Sequence, residues 1–187
     1  PLAAPSANTS GRISPTSAQH VEADLGDRIA LILDGGAASV GVESTIIKIE
    51  NGEARLLRPG GLDVADIEAC LGQTVVRADH SAAIEAPGML ASHYAPETGV
   101  RLDALTVEPG EALVNFGGRA LAGADAAAAQ FDLSPKGDLR EAAANLFAIM
   151  KQADAVGARR IAFAPVPTHG LGEAINDRLM RAAAPRE

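Results

Sequence analysis

The stretch Asp138–Ala164, DLREAAANLFAIMKQADAVGARRIAFA, decides the fold. Leu139, Ala142, Leu146, Ile149, Met150 and Ala153 recur at three- and four-residue steps, the period of one helix face. Asp138 followed by Glu141 has the form of a capping box, so the spacing predicts a helix from Asp138 to about Asp154. Arg160–Ala164 then reads as a short strand. Upstream, Ala112–Phe116 predicts a strand that stops at Gly117-Gly118. Downstream, Gly172–Ala184 predicts an amphipathic helix built on Ile175 and Leu179. Strand, helix, strand, helix is the pattern of a small α/β domain with a parallel sheet.

The first part of the chain has a different texture. Ser14-Pro15-Thr16 reads as a helix start, with serine as cap and proline in the first turn; the helix runs to about Leu25 and Gly26 stops it. Arg28–Leu33 has a buried-strand pattern and leads into the turn Asp34-Gly35-Gly36. Ser44–Glu50 and Ala54–Arg58 flank Asn51-Gly52, the strongest two-residue hairpin signal. Asp63–Leu71 predicts a helix with Val64, Ile67 and Leu71 on one face, and Thr74–Arg77 a last strand. Residues 78–100 carry neither period and read as a linker. The expected organisation is 1–77, linker 78–100, and 101–187.

Bulk properties exclude several classes. The 187 residues carry a net charge of −8, and both halves share the acidic excess. No basic stripe is visible and aromatics are 3%, which argues against tight nucleic-acid binding by this chain. No apolar run approaches the roughly 20 residues that span a bilayer. A single cysteine, Cys70, excludes an internal disulfide framework and suits a reducing cytoplasm; its helical position predicts core packing. Histidine and cysteine spacing gives no metal site.

Chemistry concentrates in a few places. Pro5-Ser-Ala-Asn-Thr-Ser-Gly11 is poor core material and good material for a loop that hydrogen-bonds a polar ligand. In an extended segment Ser6 and Asn8 face the same side; the alternative is a turn that satisfies its own backbone. Ser14 caps a helix, and a capping serine can also face a phosphate. Ser44 stands at a strand entrance, either as sheet edge or as a hydrogen-bond partner of a small substrate. Arg58 ends a strand before Pro-Gly-Gly, either solvated or as a phosphate clamp. Tyr94, the only tyrosine, lies in the linker, either as an anchor or as a contact folded over a ligand. Gly117-Gly118 lacks the form of a dinucleotide fingerprint.

Taken together, four ordered motifs resemble one family. Pro-Ser-Ala-Asn-Thr-Ser-Gly (5–11), Ser-Pro-Thr (14–16), Val-Glu-Ser-Thr-Ile-Ile (42–47) and Leu-Arg-Pro-Gly (57–60) resemble the second half of a YrdC-like domain. His-Tyr-Ala-Pro (93–96) and Gly-Leu-Gly-Glu-Ala-Ile-Asn-Asp-Arg-Leu (170–179) are similar to the linker and C-terminal domain of the long form of threonylcarbamoyl-AMP synthase. The resemblance implies an α/β fold: the C-terminal half of a twisted YrdC-like sheet domain, a linker, and a small Rossmann-like domain. It implies a nucleotidyltransferase that joins L-threonine, bicarbonate and ATP into threonylcarbamoyl-adenylate, with Mg²⁺ accompanying the ATP. A downstream tRNA-modifying complex receives the product. By the same resemblance Ser6, Ser14, Arg58 and Tyr94 contact ATP, Asn8 belongs to the catalytic polar set, and the Ala4 backbone and Ser44 hydroxyl hold L-threonine.

The family also uses a lysine and an arginine from the first half of its domain. No residue precedes Pro1, so the expectation is a truncated or cleaved piece that does not make the adenylate alone. Two other readings stay open. One is a different carbamoyl transferase with a YrdC-like domain, which the linker and C-terminal motifs disfavour. The other is a non-catalytic nucleotide- or RNA-binding module, which the acidic balance disfavours as far as RNA is concerned.

Overall fold

A computed structural model describes residues 5–77 and 85–185. Two sheets organise it. The first is β1 (Ile46–Glu50), β2 (Glu53–Arg58) and β3 (Val75–Arg77) in the order β1-β2-β3. β1 and β2 are antiparallel and β3 is parallel to β2. Asn51 and Gly52 form the connecting turn at φ 52° and 81°, the left-handed pair that a tight hairpin demands. Helix α2 (Val64–Leu71) follows, capped by the Asp63 side chain on the Ala65 N–H and closed by Gly72 at φ 67°. It packs Val64 and Ile67 against Ala54, Leu56 and Val75 as one small core.

The second sheet is wholly parallel, in the order β4-β7-β5-β6: β4 (Val100–Arg101), β5 (Glu111–Asn115), β6 (Ala129–Asp132) and β7 (Arg160–Phe163). Helix α3 (Leu139–Ala155) crosses from β6 to β7, and helix α4 (Leu171–Ala183) follows β7. α3 lies on β5 and β6, α4 contacts β4, and the two helices pack together. The α/β fold read from the sequence is therefore present. At the start of α3, Asp138 accepts from the N–H groups of Arg140 and Glu141. Glu141 does not reach back to the cap; the Ser134 hydroxyl closes the box by donating to Glu141 and accepting from the Asp138 N–H. The larger core runs through Val114, Leu146, Phe147, Ile161 and Ile175, and it takes in Ile13, Val42 and Tyr94 from the first hundred residues.

Three local expectations change. Helix α1 (Ala18–Leu25) starts later than predicted, because Ser17, not Ser14, accepts from the His20 N–H as cap. Arg28–Leu33 forms no strand: a 3-10 turn over Gly26–Arg28 gives way to irregular chain, and Leu31 and Leu33 are 73% and 86% exposed. A strand needs a neighbour to take its backbone hydrogen bonds, and this segment has none among the described residues. Cys70 is exposed, on the flank of α2 beside the Val64 and Ile67 contacts with the sheet rather than within them.

Candidate functional site

A cleft of about 590 Å³ opens between the chain start, the loop before β1 and α3; Ser6, Ser14, Gly35, Glu43 and Phe147 line it. The loop 5–11 is pinned from two sides. Thr9 donates its N–H and hydroxyl to the Asp24 carboxylate at 2.8 and 2.7 Å, from the end of α1. The Ala95 N–H of the linker donates to the Gly11 carbonyl at 3.0 Å. Asn8 donates to the carbonyls of Thr9 and Arg12, which is the self-satisfying turn; its buried Oδ1 has no partner among the described residues. Ser6 is exposed on the cleft wall, while the Asn8 amide N–H groups serve the turn.

Ser14 donates to Glu43 Oε1 at 2.7 Å. The other carboxylate oxygen of Glu43 takes the Arg178 Nε–H at 2.9 Å, from α4. Burial pushes the Glu43 carboxyl up, but the Arg178 charge and the Ser14 hydroxyl overcome it and hold the group below the ordinary carboxylate range. Arg178 is fully buried; its Nη1 meets Asp177 at 2.7 Å, and its guanidinium lies 5.1 Å from the Tyr94 ring centroid, in cation–π range. Tyr94 is 1% exposed at φ 59° and stacks on Phe147, the cleft residue, at 5.4 Å. Burial raises its hydroxyl pKa. The linker tyrosine is thus a core residue as well as a cleft neighbour.

Arg58 is 7% exposed. Its guanidinium donates to the Ser44 carbonyl at 2.9 and 3.2 Å and to the Pro87 carbonyl at 3.1 Å, with Ser44 Oγ at 3.4 Å. Among the described residues no carboxylate pairs with it. Gly88 lets the linker pass close by: a Cβ there would stand 2.6 Å from the Tyr94 hydroxyl and 3.3 Å from Arg58 Nη1. Ser6 and Ser14 line the cleft, Tyr94 stacks on its Phe147, and Arg58 bonds Ser44 next to the lining residue Glu43; the structure does not bring Asn8 into the lining. Ala4 lies outside the described residues. Sequence reading missed Glu43 and Arg178. The signal for Arg178 was present: it sits between Ile175 and Leu179 and before Ala182, a charged residue at a core position of the helix period. Among the described residues no three His, Cys, Asp or Glu side chains converge as a metal cage.

The fold defines an α/β protein with a cleft between the loops of residues 6–43 and Phe147 of α3. Comparison with known proteins makes this specific. Residues 62–184 match the family described as Threonylcarbamoyl-AMP synthase, C-terminal domain, and residues 1–60 match one described as Telomere recombination. The chain belongs to the threonylcarbamoyl-AMP synthase family. It is 36% identical over 199 residues to the threonylcarbamoyl-AMP synthase of Pyrococcus abyssi (strain GE5 / Orsay), covering 100% of this chain and 58% of that protein. It is 36% identical over 200 residues to that of Bacillus subtilis (strain 168), with the same coverage. The crystal structure of P. abyssi Sua5 complexed with L-threonine matches with a TM-score of 0.76 at 33% identity, over 96% of this chain and 56% of that one. The chain thus spans about 58% of the length of these curated relatives.

Proposed function

We propose that this chain is part of a threonylcarbamoyl-AMP synthase, a nucleotidyltransferase that makes L-threonylcarbamoyladenylate for the threonylcarbamoyladenosine modification of tRNA. The observation that supports the reading is a cleft lined by Ser6, Ser14, Glu43 and Phe147, with Arg58 bonded to Ser44 next to Glu43 and Tyr94 stacked on Phe147, in a chain of this family.

The chemistry starts when the threonine amine attacks the bicarbonate carbon and water leaves, giving a carbamate. A carbamate oxygen then attacks the α-phosphorus of ATP; the bond to the β-phosphate bridging oxygen breaks and pyrophosphate departs. The chain's task is to align carbamate and phosphate and to keep water away, because a carbamate readily falls apart. Ser6 offers a hydroxyl donor to the nucleotide, and Ser14, whose proton goes to Glu43, offers its hydroxyl oxygen as an acceptor. Arg58 carries a planar fork and a charge unmatched by any described carboxylate, which suits it to balance phosphate. The lone acceptor Asn8 Oδ1 suits an N–H of the threonine or the carbamate. Ser44 Oγ holds the amino acid, and Tyr94 closes the nucleotide side from the linker. Mg²⁺ would accompany the triphosphate and neutralise part of its charge. A cytoplasmic setting, and a tRNA-modifying complex that receives the product, follow from the same reading. No described helix is long and apolar enough to cross a membrane.

The test is pyrophosphate release by the intact protein that carries this chain. Release should require both L-threonine and bicarbonate. Arg58→Ala should lower it by about tenfold or more, since a lost charge-assisted hydrogen bond is worth about 1.5–3 kcal/mol. Release indifferent to threonine would overturn the assignment.

A further inference from the structure

One side chain of α4 reaches two residues beside the cleft, Glu43 and Tyr94. Arg178 holds Glu43 at 2.9 Å, Glu43 holds the Ser14 hydroxyl at 2.7 Å, and the same guanidinium covers the Tyr94 ring at 5.1 Å. One turn further along α4, Arg181 donates to the Leu90 carbonyl at 2.7 Å and accepts the His93 N–H on its own carbonyl at 3.2 Å. Asp177 sits between the two arginines and bonds both, 2.7 Å from Arg178 and 3.0 Å from Arg181. The helix therefore grips the linker just ahead of Tyr94. The Arg178–Asp177 pair is not a surface pairing. Arg178 is fully buried, and its Nη2 is left without a partner among the described residues. A buried ion pair contributes little net stability against an apolar pair of the same volume, yet losing one partner is costly. What a fixed, forked cation adds is geometry: its planar donors set the direction of two carboxylates, and its face sets an aromatic ring.

We propose that Arg178 is a positioning residue of the nucleotide site, through which the parallel-sheet unit orients the Ser14 hydroxyl and the Tyr94 ring together. It acts through Glu43 and by stacking, and it touches no substrate. The proposal rests on the synthase reading, in which Ser14 and Tyr94 contact ATP. A lysine at this position would keep the charge but not the fork. It could not hold Glu43 and Asp177 at once through two separate donors while keeping the guanidinium's place over the ring.

Two measurements test this. In the intact protein, Arg178→Lys should raise the KM for ATP about tenfold, with kcat changed by less than about threefold. A merely structural role would instead lower the active fraction and leave KM alone. Ser14→Ala, which spares the ion pair, should raise the same KM, and the Arg178→Lys/Ser14→Ala double variant should show less than the product of the two effects. In this chain, which has one tyrosine and no tryptophan, Arg178→Lys should also open Tyr94 fluorescence to acrylamide quenching. Should Arg178→Lys fail to fold, Glu43→Asp takes its place: it keeps the charge, shortens the reach, and should raise the ATP KM in the same way.

An unchanged ATP KM in Arg178→Lys, or in Glu43→Asp where that replaces it, overturns the proposal. So does full multiplication of the Arg178→Lys and Ser14→Ala effects. Both results leave the synthase reading standing when the unsubstituted protein turns over normally. An unsubstituted protein whose activity needs no ATP overturns that reading first, and the proposal with it.

Discussion

At the scale of single residues, the junction between the two sheet units is set by where a side chain cannot fit. Gly41 sits at φ 77°, and a Cβ there would lie 2.2 Å from the Ala143 carbonyl oxygen and 2.4 Å from Ala144 Cα, on α3. Gly52 has nearly the same φ, 81°, with nothing within 4 Å of its Cβ position. The pair separates conformational strain from steric exclusion. Gly52→Ala should cost about 1–2 kcal/mol, the left-handed penalty alone. Gly41→Ala should cost about 1–3 kcal/mol more, because backbone must move off backbone. Urea denaturation of both variants checks this; equal losses would mean that α3 yields freely at Ala143. The same scale explains what the sequence concealed in the site. Ser14 looked like a helix cap because proline follows it, yet Ser17 caps and Ser14 is free to hold Glu43. No local pattern reveals a hydroxyl's partner that lies 29 residues along the chain.

Among elements, those fixed by local chemistry were legible and those fixed by distant neighbours were not. The 138–154 helix needed only its apolar period and Asp138, and the hairpin needed only Asn51-Gly52. β6, Ala129–Asp132, was missed because Ala-Gln-Phe-Asp has no β-branched residue; it is a strand because β5 offers it an edge. Arg28–Leu33 failed in the opposite sense, with strand-like residues and no described partner. Glu111, the first residue of β5, adds an element-level prediction. Its carboxylate is fully buried and takes the Arg101 guanidinium from β4 at 2.5 and 3.0 Å, while the Arg101 side chain is 25% exposed. Removing the outer partner strands a buried charge; removing the inner one leaves a cation that water can reach. Arg101→Met should therefore cost about 3–5 kcal/mol and Glu111→Gln clearly less. Thermal or chemical denaturation that puts Glu111→Gln at or above the cost of Arg101→Met would refute this ordering.

Across the whole molecule, two histidines sit where the sheet units meet, and they make the junction the acid-sensitive part. His93 lies in the linker at 4.1 Å from the Tyr94 ring, with its buried Nδ1 unpartnered among the described residues. Burial lowers its pKa, and Arg178, Arg181 and Arg58 push the same way against Glu43. His20, on α1 and bonded by Thr16, is likewise lowered by burial and by Lys151 of α3. A group whose folded pKa is depressed supports folding fully above its unfolded value, about 6.5 for histidine, and loses that support as pH falls through the folded value. Glu43, Asp24 and Glu111 are also depressed, so their contribution starts to fade only below about 4.5. Stability should therefore decline in two stages: a first below about pH 6.5 from the histidines, then a second in the carboxylate range. Tyr94 emission should report the first stage, since that ring lies at the junction and is the chain's only tyrosine. The double variant His20→Gln/His93→Gln, melted across pH 4–8, should lose the upper stage and keep the lower. A wild-type profile flat down to about pH 4.5 would mean that protonated His93 and His20 are accommodated where they stand, and that the junction tolerates charges its burial argues against.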